Sequence, residues 1–205
     1  MNRFIYVRES RKERRPARTT LTEEEELIAQ EIVSWLRTLS MVRSLVLLNF
    51  NSVAKRRYEE FEEAVEVQAS AWHMTDYRWA TPSHVLRAIA DNGGIVLGAF
   101  DEDNNKLIGI SYGFFVYKDG EVKYFYSHQT GVVEGFKYKG VGYQLKLMQR
   151  SKVLEHGVDL IVWTFDPLQS LNANFNFAKL GVINRKFLIN YYGAVSYTHL
   201  RAHET

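Results

Sequence analysis

The sequence predicts an α/β protein of the α+β kind, with a mixed, mostly antiparallel central sheet flanked by helices. Three observations carry that expectation. Strand-like segments separated by short Gly, Asp and Asn turns fill residues 95–133, which reads as a meander of antiparallel strands. Helix-like segments with a 3.6-residue apolar period precede it. After it, a strand, a glycine turn, a helix and a second apolar strand run through residues 121–165, a unit that makes a parallel, right-handed crossover. With 205 residues, 46% of them hydrophobic, the chain can bury one domain core and carry an appendage.

Composition narrows the function classes. There are no cysteines, so a disulfide framework, a thiolate nucleophile and a zinc–thiolate site are excluded, and no metal is expected. That fits a reducing cytoplasm, the expected location. The net charge of +2 argues against nucleic acid as the main partner. No apolar run reaches the roughly 20 residues of a membrane span, and the start lacks the apolar stretch of a signal peptide.

Residues 1–20 are basic, with Arg3, Arg8, Arg11, Lys12, Arg14, Arg15 and Arg18, and read as a solvated, disordered arm. Phe4, Ile5 and Tyr6 would allow one short strand. Contact with nucleic acid or an acidic surface is the arm's alternative role. Residues 21–43 read as an extra helix. Thr22 can cap it, Glu23 to Glu26 suit its dipole, and Leu27, Ile28, Ile32, Trp35, Leu36 and Leu39 make its apolar face. It would lie on the main domain or on a second subunit, as in a homodimer. The main domain is expected over 44–194.

Residues 44–50 (SLVLLNF) make the first strand of that domain. Residues 57–74 are helical, with Phe61, Val65, Gln68, Ala69 and Trp72 on one stripe. Pro82 begins a short helix to Ala90, with Ser83 or Thr81 as cap. The second and third strands span 95–100 and 106–117; a turn at 118–120 leads to the fourth over 121–133. The helix after the glycine turn starts at Tyr143 and buries Leu145, Leu147, Met148, Val153 and Leu154. Residues 158–165 (VDLIVWTF) form the fifth strand, apolar throughout because both its faces are covered. A helix over 170–180, stopped by Gly181, and a last strand over 182–192 follow.

The turn at 132–143, VVEGFKYKGVGY, is where chemistry is expected. Glycines let the backbone approach a ligand, and the free N–H groups of a helix start point at it. Lys137 and Lys139 add positive charge, so the guest is a phosphate or pyrophosphate. The spacing is neither the Gly-Lys-Ser/Thr nucleotide loop nor the three-glycine dinucleotide fingerprint. A surface turn with glycines and lysines is the simpler alternative.

Val132, Lys137, Gly140 and Gly142 do fit Val-x-x-x-x-(Gln/Arg)-x-x-Gly-x-(Gly/Ala), with lysine at the Gln/Arg place. In this the chain resembles the GNAT superfamily, the Gcn5-related N-acyltransferases, over roughly residues 45–192. The motif WTFDPLQSLNANFN is also similar to a poorly characterised prokaryotic branch of predicted acetyltransferases, some linked to N-acylation of amino acids, including succinyl transfer. The resemblance implies that the fourth and fifth strands splay apart. Their gap would admit the pantetheine arm of an acyl-CoA near Val132 and Val133, and Lys137, Tyr138, Lys139, Gly140, Val141, Gly142 and Tyr143 would hold its pyrophosphate. It also implies an amine acceptor pocket near Trp72, His73 and Met74. The family's second motif, anchored on Gly181, puts Ser170, Ala173 and Phe177 at its Asn, Ala and Tyr places. The Tyr is the family's usual acid for the departing thiolate, and Phe cannot donate a proton.

Acyl transfer to an amine needs a base, a donor for the oxyanion and, optionally, an acid for the thiolate. Tyr126 and His128 share strand parity with Val132 unless a bulge intervenes. His128 is the candidate base, directly or through water, and a half-buried packing residue otherwise. The oxyanion donor implied by the resemblance is the N–H of Val132 or Val133. For the acid the candidates are Tyr126, Asn172 or water. Asn172, Asn174 and Asn176 are poor helix formers that would serve binding, solvent exposure or capping.

The expected activity is acyl-CoA-dependent N-acylation of a small-molecule amine such as an amino acid, by direct attack in a ternary complex. The alternatives are a weak or inactive acyl-CoA-binding module of the same fold, and an interaction protein that docks through its basic arm. Residues 195–205, VSYTHLRAHET, look like a translated sequencing adapter, which would cut the gene at about Ala194; His199 and His203 within them are set aside as metal ligands.

Overall fold

The computed structural model describes residues 3–8, 45–49, 58–137, 139–189 and 191. The expected helix at 21–43 and the tail at 195–205 lie outside them. One seven-stranded sheet forms the frame, in the order β2-β3-β4-β5-β6-β1-β7. Its strands are β1 (Arg3–Arg8), β2 (Leu45–Asn49), β3 (Ile95–Asp101), β4 (Lys106–Lys118), β5 (Glu121–Val132), β6 (Ile161–Phe165) and β7 (Ile183–Ile189). The first to fifth strands expected for the domain are thus β2 to β6. Every neighbouring pair is antiparallel except β5 and β6, which are parallel.

The N-terminal segment departs from expectation. Arg3–Arg8 is a strand, paired antiparallel with β6 on one side and β7 on the other. The short-strand option at Phe4–Ile5–Tyr6 prevails over the solvated arm for these residues. An extended segment placed between two strands satisfies its backbone groups on both sides.

Helices cover both faces. α1 (Tyr58–Ala71) and α2 (Ser83–Asp91) lie on one, burying Phe61, Ala64, Val67, Leu86 and Ala90 against Val96, Phe100, Leu107, Ile110 and Tyr112. The stripe of α1 is therefore turned from the expected one, since Ala64 and Val67 point inward and Val65 is only half-buried. Gln68 is fully buried and ties α1 to the chain entering α2: its Oε1 accepts from the Thr81 N–H at 2.8 Å, and its Nε2 donates to the carbonyl of Thr81 at 3.1 Å. Neither expected cap serves α2. Pro82 stands at the N-cap without a side-chain bond, the Ser83 hydroxyl donates to Glu62, and the Thr81 hydroxyl oxygen meets that of Tyr112.

α3 (Val141–Glu155) covers the other face, two residues longer at its start than expected. It buries Val141, Leu145, Gln149 and Val153, while Leu147 and Leu154 stay exposed. These inward residues recur every four positions, and the exposed leucines fall off that stripe. α4 (Ser170–Ala173) continues as a π-helical turn, Asn174–Lys179. The turn is widened where Asn176 faces inward: its Oδ1 accepts from the indole N–H of Trp163 at 2.7 Å, and its Nδ2 donates to the carbonyl of Asn172. Among the described residues no helix is long and apolar enough to cross a membrane.

Candidate functional site

The site forms where β5 and β6 part. They pair only at Phe125↔Ile161 and Tyr126↔Val162. Past those residues β6 turns its hydrogen bonds to β1, through Val7↔Trp163, Tyr6↔Thr164 and Ile5↔Phe165. β5 stays with β4 as far as Gly109↔Val132. A fork results, open on the β6 side of β5 from Ser127 to Val132. The N–H of Val133 is used by β4, donating to Ile108 at 2.9 Å. By the alternation of an antiparallel ladder, the N–H of Val132 then faces the fork. Of these two N–H groups, only that of Val132 is turned to the fork.

Above the fork the chain makes a 3-10 turn, Glu134–Phe136, and enters α3 through Gly140. Gly140 has φ 85°, the left-handed region where a side chain is costly. No side chain caps α3, its first turn holds no acidic residue, and its first hydrogen bond is Gln144 N–H to the carbonyl of Gly140. The N–H groups of Val141, Gly142 and Tyr143 therefore have no acceptor within the helix. A Cβ on Gly142 would stand 3.6 Å from Val132 and 3.9 Å from Phe175, so the glycine leaves a space bounded by β5 and the π-helical turn. The two expected cations are occupied. Lys137 pairs with Glu134, and the Lys139 ammonium sits 4.6 Å over the Phe136 ring. Main-chain donors add positive character of their own to the cradle. Tyr138 lies outside the described residues.

β5 is bulged at the residue that matters. Tyr112 faces Gln129 and Gly113 faces Ser127, so His128 is the extra residue. The bulge breaks the expected parity. Ser127, Thr130 and Val132 face α3, whereas Tyr126, His128 and Gln129 face α1 and α2. His128 packs edge-on to Tyr112 at 5.5 Å and against Tyr126 at 6.1 Å. Its Nδ1 is buried without a hydrogen-bond partner, and burial pushes its pKa below the ordinary 6.5. Burial thus favours the neutral ring. The Tyr126 hydroxyl bonds that of Tyr191, whose pKa is raised by burial and by Tyr126.

The end of α1 closes this side. Gly131 has no room for a Cβ, because Trp72 lies 2.7 Å from where it would be. His73, with φ 50°, reaches Glu134 at 3.2 Å. Trp72 and His73 therefore do border the top of β5. Asn172 does not join them: its side chain donates to Gln169 and its carbonyl accepts from Asn176, both within its own helical segment. Phe177 packs on Phe165 at 5.5 Å. Among the described residues no group of three or more His, Asp or Glu could hold a metal ion.

Sequence reasoning missed the side chains on the α3 face of the fork. Lys146 donates to Ser127 Oγ at 2.7 Å and lies 4.2 Å over the Trp163 ring. Gln149, fully buried, donates to Ser111, which bonds Thr130. The signal was weak, since Lys146 and Gln149 are two of five polar residues between Leu145 and Val153. A pocket of about 150 Å³ opens beside them, lined in part by Tyr143, Lys146, Arg150, Trp163 and Lys179.

No protein-family model and no curated protein matches the sequence. Solved structures do match. An aminoglycoside acetyltransferase from an uncultured soil metagenomic sample, in complex with sisomicin, aligns with a TM-score of 0.56 and 17% identity over 66% of this chain and 87% of that one. An aminoglycoside N-acetyltransferase in complex with CoA aligns at 0.54 and 14%, over 72% and 93%. An acetyltransferase of Trypanosoma brucei aligns at 0.53 and 12%, over 71% and 96%. At such identities the likeness concerns the architecture. The fold of this chain is that of the GNAT acyltransferases, a mixed, mostly antiparallel sheet flanked by helices, with its parallel strand pair splayed into a fork.

Proposed function

We propose that the protein is an acyl-CoA-dependent N-acyltransferase. It moves an acetyl or other short acyl group, succinyl included, from coenzyme A to the amine of a small molecule such as an amino acid, in the cytoplasm. The observation that carries this reading is the fork between β5 and β6 opening beneath an uncapped helix start. The donors of Val141, Gly142 and Tyr143 suit a pyrophosphate, and the unpaired edge of β5 suits the amides of a pantetheine arm.

In this reading the amine approaches from the α1 side, past Trp72 and Tyr126. His128, neutral and buried, takes its proton directly or through water. The amine nitrogen attacks the acyl carbon, and the N–H of Val132 faces the developing oxyanion. The C–S bond then breaks and its electron pair leaves on sulfur. Phe177 favours a second reading, a binding module with little turnover, because an aromatic ring packed on Phe165 supplies no proton.

Thiol release from acetyl-CoA and succinyl-CoA across a panel of amines separates the two. Amine-dependent release supports the transferase. Tight coenzyme A binding without release for any amine would leave the binding module standing.

A further inference from the structure

The peptide between Gly131 and Val132 carries the N–H that faces the fork, and one side chain is seated against its glycine from the α1 face. Two carbons of the six-membered ring of Trp72 stand 2.7 and 2.8 Å from the point where a Cβ on Gly131 would be. The indole therefore rests on the Gly131 backbone, an approach that only glycine permits.

Trp72 holds this place because the end of α1 closes around it. Its N–H donates to the carbonyl of Gln68 at 3.2 Å, and the buried Gln68 side chain is bonded to Thr81. His73 then turns left-handed, with φ 50°, and the N–H of Met74 donates back to the carbonyl of Ala69 at 2.9 Å. That bond seals a helix whose last residue before the left-handed turn is Trp72. A residue with a side chain is costly at that φ, and the side chain has a use here: the His73 ring reaches Glu134, 3.2 Å away, in the turn that follows Val132 and Val133. The contact of Trp72 with Gly131 is thus bounded by Gln68 on one side and by His73 and Glu134 on the other.

In the acyltransferase reading above, on which this inference rests, the acyl oxygen meets the Val132 N–H. A hydrogen bond of ordinary length then puts the acyl carbon within about 4 Å of the Val132 nitrogen. The cradle for the pyrophosphate belongs to α3, on one face of the sheet, and the amine arrives from the α1 face. The acyl chain, pointing away from the sulfur, passes the Gly131–Val132 peptide towards that second face, where the Trp72 ring stands. An acetyl methyl ends beside the ring. Each further carbon must displace the ring or fold back into the path of the amine.

We propose that Trp72, seated on Gly131, sets the size of the acyl group and selects acetyl over longer chains. The short acyl group of the reading above is thereby narrowed to acetyl, by a residue of α1 rather than of the cofactor cradle.

Titration calorimetry of the full chain with coenzyme A, acetyl-CoA, butyryl-CoA and succinyl-CoA tests this with no amine present. Relative to coenzyme A, wild-type affinity should be kept for acetyl-CoA and should fall at least about 10-fold for the two longer forms. Trp72→Ala should bring butyryl-CoA to within about 3-fold of acetyl-CoA, with Trp72→Phe in between. Equal wild-type affinities for acetyl-CoA and the longer forms overturn the proposal without any variant. So does a Trp72→Ala protein that keeps the wild-type discrimination, or one that loses affinity equally for all four ligands, since that marks a structural role alone. Failure of the wild-type protein to bind any of the four overturns the acyltransferase reading, and this proposal with it.

Discussion

The two faces of β5 are built from neighbouring residues and do opposite things with charge. Towards α3, Ser127 and Thr130 meet Lys146 and Gln149, a cation and an amide held in a continuous relay. Towards α1 and α2, Tyr126 and His128 meet aromatic rings, and the histidine is kept neutral by burial. One extra residue separates the two arrangements: without the bulge at His128, alternation would send the residues before it to the other face. The comparison shows how one inserted residue gives a single strand a polar face and an aromatic face.

The most damaging change to the comparison should be His128→Ala. We expect kcat to fall by about 100-fold or more, with coenzyme A binding retained. In the wild-type protein, kcat/KM should rise with pH through a midpoint below 6.5 and then level off, because the neutral ring is the active form. A midpoint above 6.5 would contradict the burial argument. The same shift has a stability signature. The folded-state pKa is depressed, so His128's contribution to stability is complete above pH 6.5 and is lost as pH falls through the lower folded value. Thermal unfolding at pH 7 and pH 5, compared with His128→Phe, isolates it.

Gly140→Val should come next. It forces a β-branched residue to φ 85°, at a cost of about 1–2 kcal/mol, and should raise KM for the acyl-CoA more than it lowers kcat. Smaller effects should follow from the buried amides that brace each face. Asn176→Leu strands the Trp163 indole N–H on the α3 face, and Gln68→Met strands the Thr81 backbone groups on the other. Each should cost about 1–3 kcal/mol in denaturant unfolding. A near-zero cost at either residue would show that its face is held by apolar packing alone. Lys152→Ala, which breaks a surface pair with Glu155, should change stability by no more than about 0.5 kcal/mol.

Much of the frame was legible because it is punctuated. The turn Lys118-Asp119-Gly120, with positive φ at Asp119 and Gly120, and the apolar run ending at Phe165 name their own places in the sheet. So does Gly140 at the entrance to α3. The site was less legible, for three physical reasons. A bulge has no composition, so counting by twos from Val132 puts His128 on the wrong face. A basic segment reads as solvated unless its sheet partners are known, and Arg3–Arg8 gains its strand from β6 and β7. Lys146 and Gln149 look like the polar side of a helix until the fork supplies Ser127 and Trp163. Lys137 and Lys139, read as phosphate ligands, also meet Glu134 and the Phe136 ring, neighbours that spacing alone does not reveal.

Amide hydrogen exchange with and without coenzyme A tests the central claim most directly. Main-chain donors at the start of α3 and on the open edge of β5 are predicted to become protected at Val132, Val141, Gly142 and Tyr143, while the β3–β4 ladder exchanges as before. Binding that leaves those four amides unprotected, or no binding at all, would contradict the account.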